Sequence, residues 1–317
     1  MKLNPLERSI LKTLVYFDLL DYPLTATEVW KWLYRPEVPD DARTLFHVSD
    51  SLENSTRLQE LVSRREGFYC LRGREDLIPE RKLRNNRVDR QLRKTCRVVK
   101  LLRLFPSIRM IAIASSLSFG NVKETSDIDL FIITKKNQIW MTRLFAAGSL
   151  KLLRQRPQPM PLPDRFCLSF FVSEDALNVE KAAFGSDDIV FQYYVQSFIP
   201  IYDPDGLYAR FLKENAWYAK YLPNAYFEQG FLCEVGRPQW LAWWHRFFES
   251  ISYPFFHGPL SDWYCNLQLK ILPDRLKSIA NIDSRVIISD QMLKFHDKDN
   301  RQELRHKWQE RLAAYGS

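Results

Sequence analysis

Two aspartates one residue apart, Asp127 and Asp129, open the apolar run in the stretch "SDIDLFIIT". Residues two apart in a strand point to the same side, so the two carboxylates stand together at the strand's mouth. Held that close, they repel unless a cation or a proton sits between them. A divalent cation is the simplest occupant. Magnesium suits oxygen donors, keeps several of its waters and needs only a few carboxylates plus a substrate phosphate. Upstream, Ser115 and Ser116 follow the apolar run "MIAIA", and ten residues separate Ser116 from Asp127. If the chain leaves that first strand at Ala114 and begins a short helix near Ser116, the free N–H groups and serine hydroxyls of the turn face phosphate oxygens.

The elements that must position these side chains follow from periodicity. "MIAIAS", "DIDLFIIT" and "FCLSFFVS" read as buried strands, with a helix from Asn137 to Leu153 before the third. The four prolines of "RQRPQPMPLPD" make the stretch after that helix a loop. Ahead of the first strand, Val88, Leu92, Cys96, Val99 and Leu102 recur at helical spacing and predict one long amphipathic helix from Pro79 to Phe105.

The N-terminal residues up to about 75 predict a small helical unit. Its first helix carries Pro5 in the first turn and Ile10, Leu11, Leu14, Val15 and Leu19 on one face. Thr25 and Glu28 form a capping-box pattern for a second helix, a third fits Ser49 to Ser63, and "GFYCLRG" alternates like a strand. Three helices followed by a short hairpin resemble a winged helix-turn-helix. Beyond about residue 185 the chain reads as helical again, apart from "FIPIYD". Arg237 to Tyr264 is crowded with tryptophan, phenylalanine and tyrosine. It reads as the packed seam of a helical domain, with a membrane-interface helix as the alternative.

The 317 residues, 46% hydrophobic and 26% charged, suit a globular chain of two or three domains. No segment reaches the roughly 18 uninterrupted apolar residues that span a bilayer. Charges at Glu7, Arg8, Lys12 and Asp18 interrupt any secretory leader, so the expected compartment is the cytoplasm. Five scattered cysteines with no C-x-x-C pair predict reduced thiols, and the five histidines fall in no metal-binding frame. Between Arg64 and Arg103 stand fourteen Lys or Arg against five acids, a local +9 that accounts for the chain's whole net +8 and leaves the rest close to neutral. The concentration suggests either a solvated helix bridging two domains or a face for a polyanionic partner such as nucleic acid. Neither a G-x-x-x-x-G-K-[ST] loop nor a G-x-G-x-x-G turn is present, which argues against kinase and dehydrogenase chemistry.

In "SSLSFGNVKETSDIDLFIIT", strand, spacer and aspartate doublet together resemble the DNA polymerase β-like nucleotidyltransferase superfamily. The resemblance covers about residues 80 to 205. It implies an α+β fold, a mixed sheet flanked by helices, here with a winged-helix-like unit (1–78) before the nucleotidyltransferase-like domain (79–205) and a helical region (206–317) after it. It further implies two-metal transfer of a nucleotide from an NTP to a hydroxyl-bearing acceptor. Asp127 and Asp129 would hold two Mg²⁺ ions, and Ser115, Ser116 and Gly120 would line the phosphate turn. Ser115 stands where the family has its first glycine. The family's third carboxylate has no evident counterpart: Ser169 stands where an acid is expected, and Asp164, Glu174 and Asp175 flank that strand. The alternative is a catalytically degenerate fold acting as a nucleic-acid-binding regulator. RNA, a small molecule, a sugar or lipid-linked precursor and a protein side chain all remain open as acceptor.

Overall fold

The computed structural model describes residues 3–155, 163–225, 234–256, 259–296 and 299–315, so most of the proline-rich loop lies outside the described residues. The chain opens with α1 (Pro5–Leu19), β1 (Leu24–Thr25), α2 (Ala26–Lys31), α3 (Leu45–Asn54), α4 (Thr56–Leu61), β2 (Val62–Arg65) and β3 (Phe68–Leu71). Both α1 and α2 start at complete capping boxes: the Asn4 side chain accepts from the Glu7 N–H, Thr25 accepts from Glu28, and each glutamate accepts in return from the cap's N–H. The expected third helix is two helices, broken at Ser55, whose hydroxyl caps α4. The three strands pair antiparallel in the order β1-β3-β2.

The long helix α5 (Leu77–Leu102) leads into β4 (Ile108–Ala114), α6 (Ser115–Ser118), β5 (Ile128–Thr134), α7 (Ile139–Leu152) and β6 (Phe166–Ser173). Then come α8 (Ile189–Gln196), β7 (Ile199–Tyr202), α9 (Leu207–Glu214), α10 (Gln239–Phe256), α11 (Pro259–Ile271), α12 (Asp274–Ser278), β8 (Val286–Ile288), β9 (Met292–Phe295) and α13 (Arg301–Ala314). The six-stranded sheet has the order β7-β4-β5-β6-β9-β8. Only β5 and β6 run parallel; every other pair is antiparallel. Alternate residues feed two cores. Ile111, Ile113, Leu130 and Ile132 face α5 and α7, while Met110, Ala112, Phe131 and Ile133 face α8 and α9. Because helices cover both faces, β4 and β5 read as continuous apolar runs and not as alternating ones.

Four features depart from the sequence reading. The region 206–317 is not only helical: β8 and β9 extend the central sheet beside β6. Its last helix, α13, packs on α1, with Leu312 in the N-terminal core and the Trp308 indole donating to the Lys12 carbonyl at 2.9 Å. Cys96 is disulfide-bonded, whereas reduced thiols were expected throughout; Cys70, Cys167 and Cys265 are not in disulfides. On α10, Trp240, Trp243, Trp244 and Phe247 are exposed and share one side of the helix, so this stretch is not a fully packed seam. The side chains of Tyr253, Phe255 and Phe256 lie outside the described residues. No helix among the described residues is long and apolar enough to cross a membrane.

Several cations of the basic segment are paired with carboxylates of other elements. Arg64 pairs with Glu53, Arg81 with Glu28, Lys82 with Glu66, Arg87 with Glu124 and Arg90 with Asp164. Arg84, 1% exposed, reaches Glu80, the Asp21 carbonyl and Asn121. Helix α3, the first of the two helices found where one was expected, carries no Lys or Arg and exposes Phe46.

Candidate metal centre

Backbone register brings the site together. Asp129 pairs with Ala114 on one neighbouring strand and with Cys167 on the other. Paired positions share a face of the sheet, so the Cys167 thiol lies beside the Asp129 carboxyl. Asp127, just ahead of β5, completes the group. One ligand atom from each of Asp127, Asp129 and Cys167 lies within 4.8 Å of the others, and all three residues are half-buried.

Burial, and then the neighbouring Asp127 charge, pushes the Asp129 carboxyl up to about 7. Burial raises Asp127 as well. The Ser115 and Cys167 side chains turn toward Asp129 and favour its ionised form. No Lys or Arg pairs with either aspartate among the described residues. The thiol itself is raised well above its ordinary value by burial and by the two carboxylates. Tyr194 of α8 closes the site from the other side, its hydroxyl raised first by burial and then by Asp129 and Cys167.

The turn that delivers these groups is strained at one residue. Ser115 has φ +59, a left-handed conformation that suits glycine, and it occupies the position where the resembled family has one. Ser116 follows in α6, and Ser118 ties that helix down by donating to the Ser115 carbonyl at 2.7 Å and to Ser197 at 2.9 Å. Gly120 has a different reason to be glycine. At φ +72, a Cβ there would stand 3.2 Å from the Tyr22 hydroxyl, where the N-terminal unit packs against this loop. The loop to Asp127 is then held by Tyr22 on the Phe119 carbonyl, Arg84 on Asn121, Lys123 on Asp21 and Gln91 on the Ser126 carbonyl.

The flanking acids do not join the pair. Asp164 is engaged by Arg90 and Gln91, Glu174 by Arg109, and Asp175 by Lys136 and Ser173. Ser169, which stands in the sequence where a third acid is expected, lies two residues too far along β6. The ladder matches the second residue of β5 with the second of β6, which selects Cys167. That match was available in the sequence once β5 and β6 were taken as parallel. Tyr194 and His296 carried no such signal.

Two carboxylates and a thiol fit a single divalent cation. A pair of magnesium ions calls for a third carboxylate, and no described acid supplies it. A cleft of about 480 Å³ on the α7 side of the sheet is lined by Cys167 and Ser169 of β6, Arg143 and Lys151 of α7, and Gln268 and Leu272, but by neither aspartate. Compared with family models, with curated proteins and with solved structures, this chain gives no match.

Proposed function

We propose that this chain is a metal-dependent nucleotidyltransferase whose NTP site is built on Asp127 and Asp129. The reading is carried by one observation: two half-buried carboxylates converge at a strand mouth with no protein cation paired to them among the described residues. The fold is read as nucleotidyltransferase-like because the strand, left-handed turn, short helix and aspartate-led strand follow in the resembled order. The N-terminal unit is read as winged-helix-like from its element order and its β1-β3-β2 sheet.

Asp127 and Asp129 would hold the cation, which when bound supplies positive charge to offset the carboxylates and a triphosphate. The amides of the turn after Ala114 face the phosphates, and the cleft beside Cys167 seats the acceptor. There an acceptor hydroxyl forms a bond to the α-phosphorus as the bond to pyrophosphate breaks. A second reading, nucleotide binding without transfer, is favoured by the thiol in place of a third carboxylate, which leaves no evident base for the acceptor's proton. Nucleic acid as partner has less support here, since α3 is without cations and much of the basic helix is internally paired.

Thermal melts with each NTP, with and without a divalent cation, test binding. Ligand at 100 times its dissociation constant adds about 2.7 kcal/mol. Assaying pyrophosphate release with candidate acceptors then separates the two readings. Stabilisation without release leaves a binding protein, and no cation-dependent stabilisation removes both.

A further inference from the structure

We propose that Cys167 is the third protein ligand of this site, so that it takes one thiophilic divalent cation of the zinc or cobalt class in preference to magnesium. The proposal rests on the reading that a cation binds between Asp127 and Asp129.

Three observations carry it. The first is geometric: the thiol is in ladder register with Asp129, and the three donors already lie within 4.8 Å of one another. Zinc bonds of about 2.3 Å to sulfur and about 2.0–2.2 Å to oxygen need only modest side-chain rotation to close on such a group. Three protein ligands also leave a tetrahedral ion one open position for a phosphate oxygen or water.

The second observation is the company these carboxylates lack. Several other sequestered acids are matched with the protein's own cations, Asp18 with Arg74 and Arg311, Asp188 and Asp299 with Arg301, and Glu28 with Arg81, or with neutral donors, as Glu7 is with Ser55 and Asp203 with the Leu207 and Tyr208 amides. Asp127 and Asp129 have no protein cation paired to them among the described residues, so the missing charge is one the chain does not supply.

The third lies behind the sulfur. The Ser169 side chain approaches that of Cys167 and favours its ionised form, and Ser169 Oγ lies 3.2 Å from His296 Nε2. Burial and the Lys294 charge lower His296 to about 3, so it is neutral. With the proton on Nε2, His296 donates to Ser169 and Ser169 donates to the sulfur, an assignment set by the network. His296 Nδ1, left without a hydrogen-bond partner, is then a bare acceptor rather than a stranded N–H. Such outer contacts orient metal ligands. Magnesium favours oxygen donors, whereas thiolate selects softer ions, so replacing a carboxylate by Cys167 shifts the preference. On binding, the thiol proton leaves to solvent as sulfur bonds the ion.

The test titrates the full chain with Co²⁺, whose bond to a thiolate gives a near-ultraviolet sulfur-to-metal charge-transfer band. Wild type is expected to show the band, Cys167→Ser to lose it, and Cys70→Ser and Cys265→Ser to keep it. Zn²⁺ affinity should fall at least about tenfold in Cys167→Ser, while Cys167→Asp should recover binding with the preference moved toward Mg²⁺. A band that survives Cys167→Ser overturns the proposal. So does Co²⁺ binding that depends on Asp129 yet gives no band, and that outcome leaves the nucleotidyltransferase reading standing. Absence of any Asp129-dependent divalent binding overturns both.

Discussion

Asp129 and Ser115 are each held in a state that the surrounding structure must enforce. The Asp129 carboxyl moves from 3.8 up to about 7 through burial and the Asp127 charge. The folded state therefore holds that proton more tightly than the unfolded chain, and metal-free stability should fall as pH rises from about 4 to about 7. Asp129→Asn should flatten that part of the profile, which thermal melts without metal on both sides of the window will read. Ser115 in the left-handed region costs about 1–2 kcal/mol, and glycine's larger loss of backbone freedom on folding offsets about 0.5–1 kcal/mol of the relief from replacing it. Ser115→Gly should thus leave stability within about 1 kcal/mol of wild type by urea denaturation. Ser115→Val should destabilise by more, because a branched Cβ is poorly tolerated at positive φ.

Helix α5 works less as a charged surface than as a frame for the loop that carries Asp127. Its Arg84 lies inside the protein and bonds the Asp21 carbonyl at 2.7 Å, Glu80 at 2.8 Å and Asn121. Asn121 in turn donates to the Leu20 carbonyl at 2.9 Å, so one guanidinium links α5, the end of α1 and the site loop. Removing it strands buried polar groups in all three. Arg84→Ala should cost roughly 3 kcal/mol by urea denaturation, and hydrogen exchange should quicken across residues 119–126. Exchange unchanged in that loop would mean that Tyr22, Lys123 and Gln91 hold it alone.

Over the whole molecule, the two ends of the chain close on the middle. Arg301 at the start of α13 meets Asp188, the cap of α8, at 2.6 Å and Asp299 at 2.7 Å. Asp188 is completely buried and also accepts the Phe184 and Phe191 amides. The N-terminal core takes in Ile189 and Tyr193 of α8 together with Leu312 of α13, so it is built from three distant parts of the chain. Arg301→Ala leaves a buried carboxylate without its counter-charge and should cost about 3–5 kcal/mol. Because α8 links the two cores, denaturation should remain a single transition shifted to lower urea, not two separate ones.

What was legible in the sequence was local. Caps at Thr25, the amphipathic period of α5, the apolar runs of β4, β5 and β6, and the side-by-side stance of Asp127 and Asp129 all depend on neighbours within a turn or a strand. Ser115 was marked as a departure, and the backbone shows a serine holding a glycine's conformation. Tertiary structure alone decided the rest, because it depends on which distant segments meet. Pairing of β5 with β6 chose Cys167 over Ser169, and the fold engaged Asp164, Glu174 and Asp175 with other partners. It also set several cations of the basic segment beside carboxylates of other elements, as Arg81 beside Glu28, and brought β8 and β9 into the sheet from a region that reads as helical. Composition counts charges, but only the folded chain sets each one beside its partner.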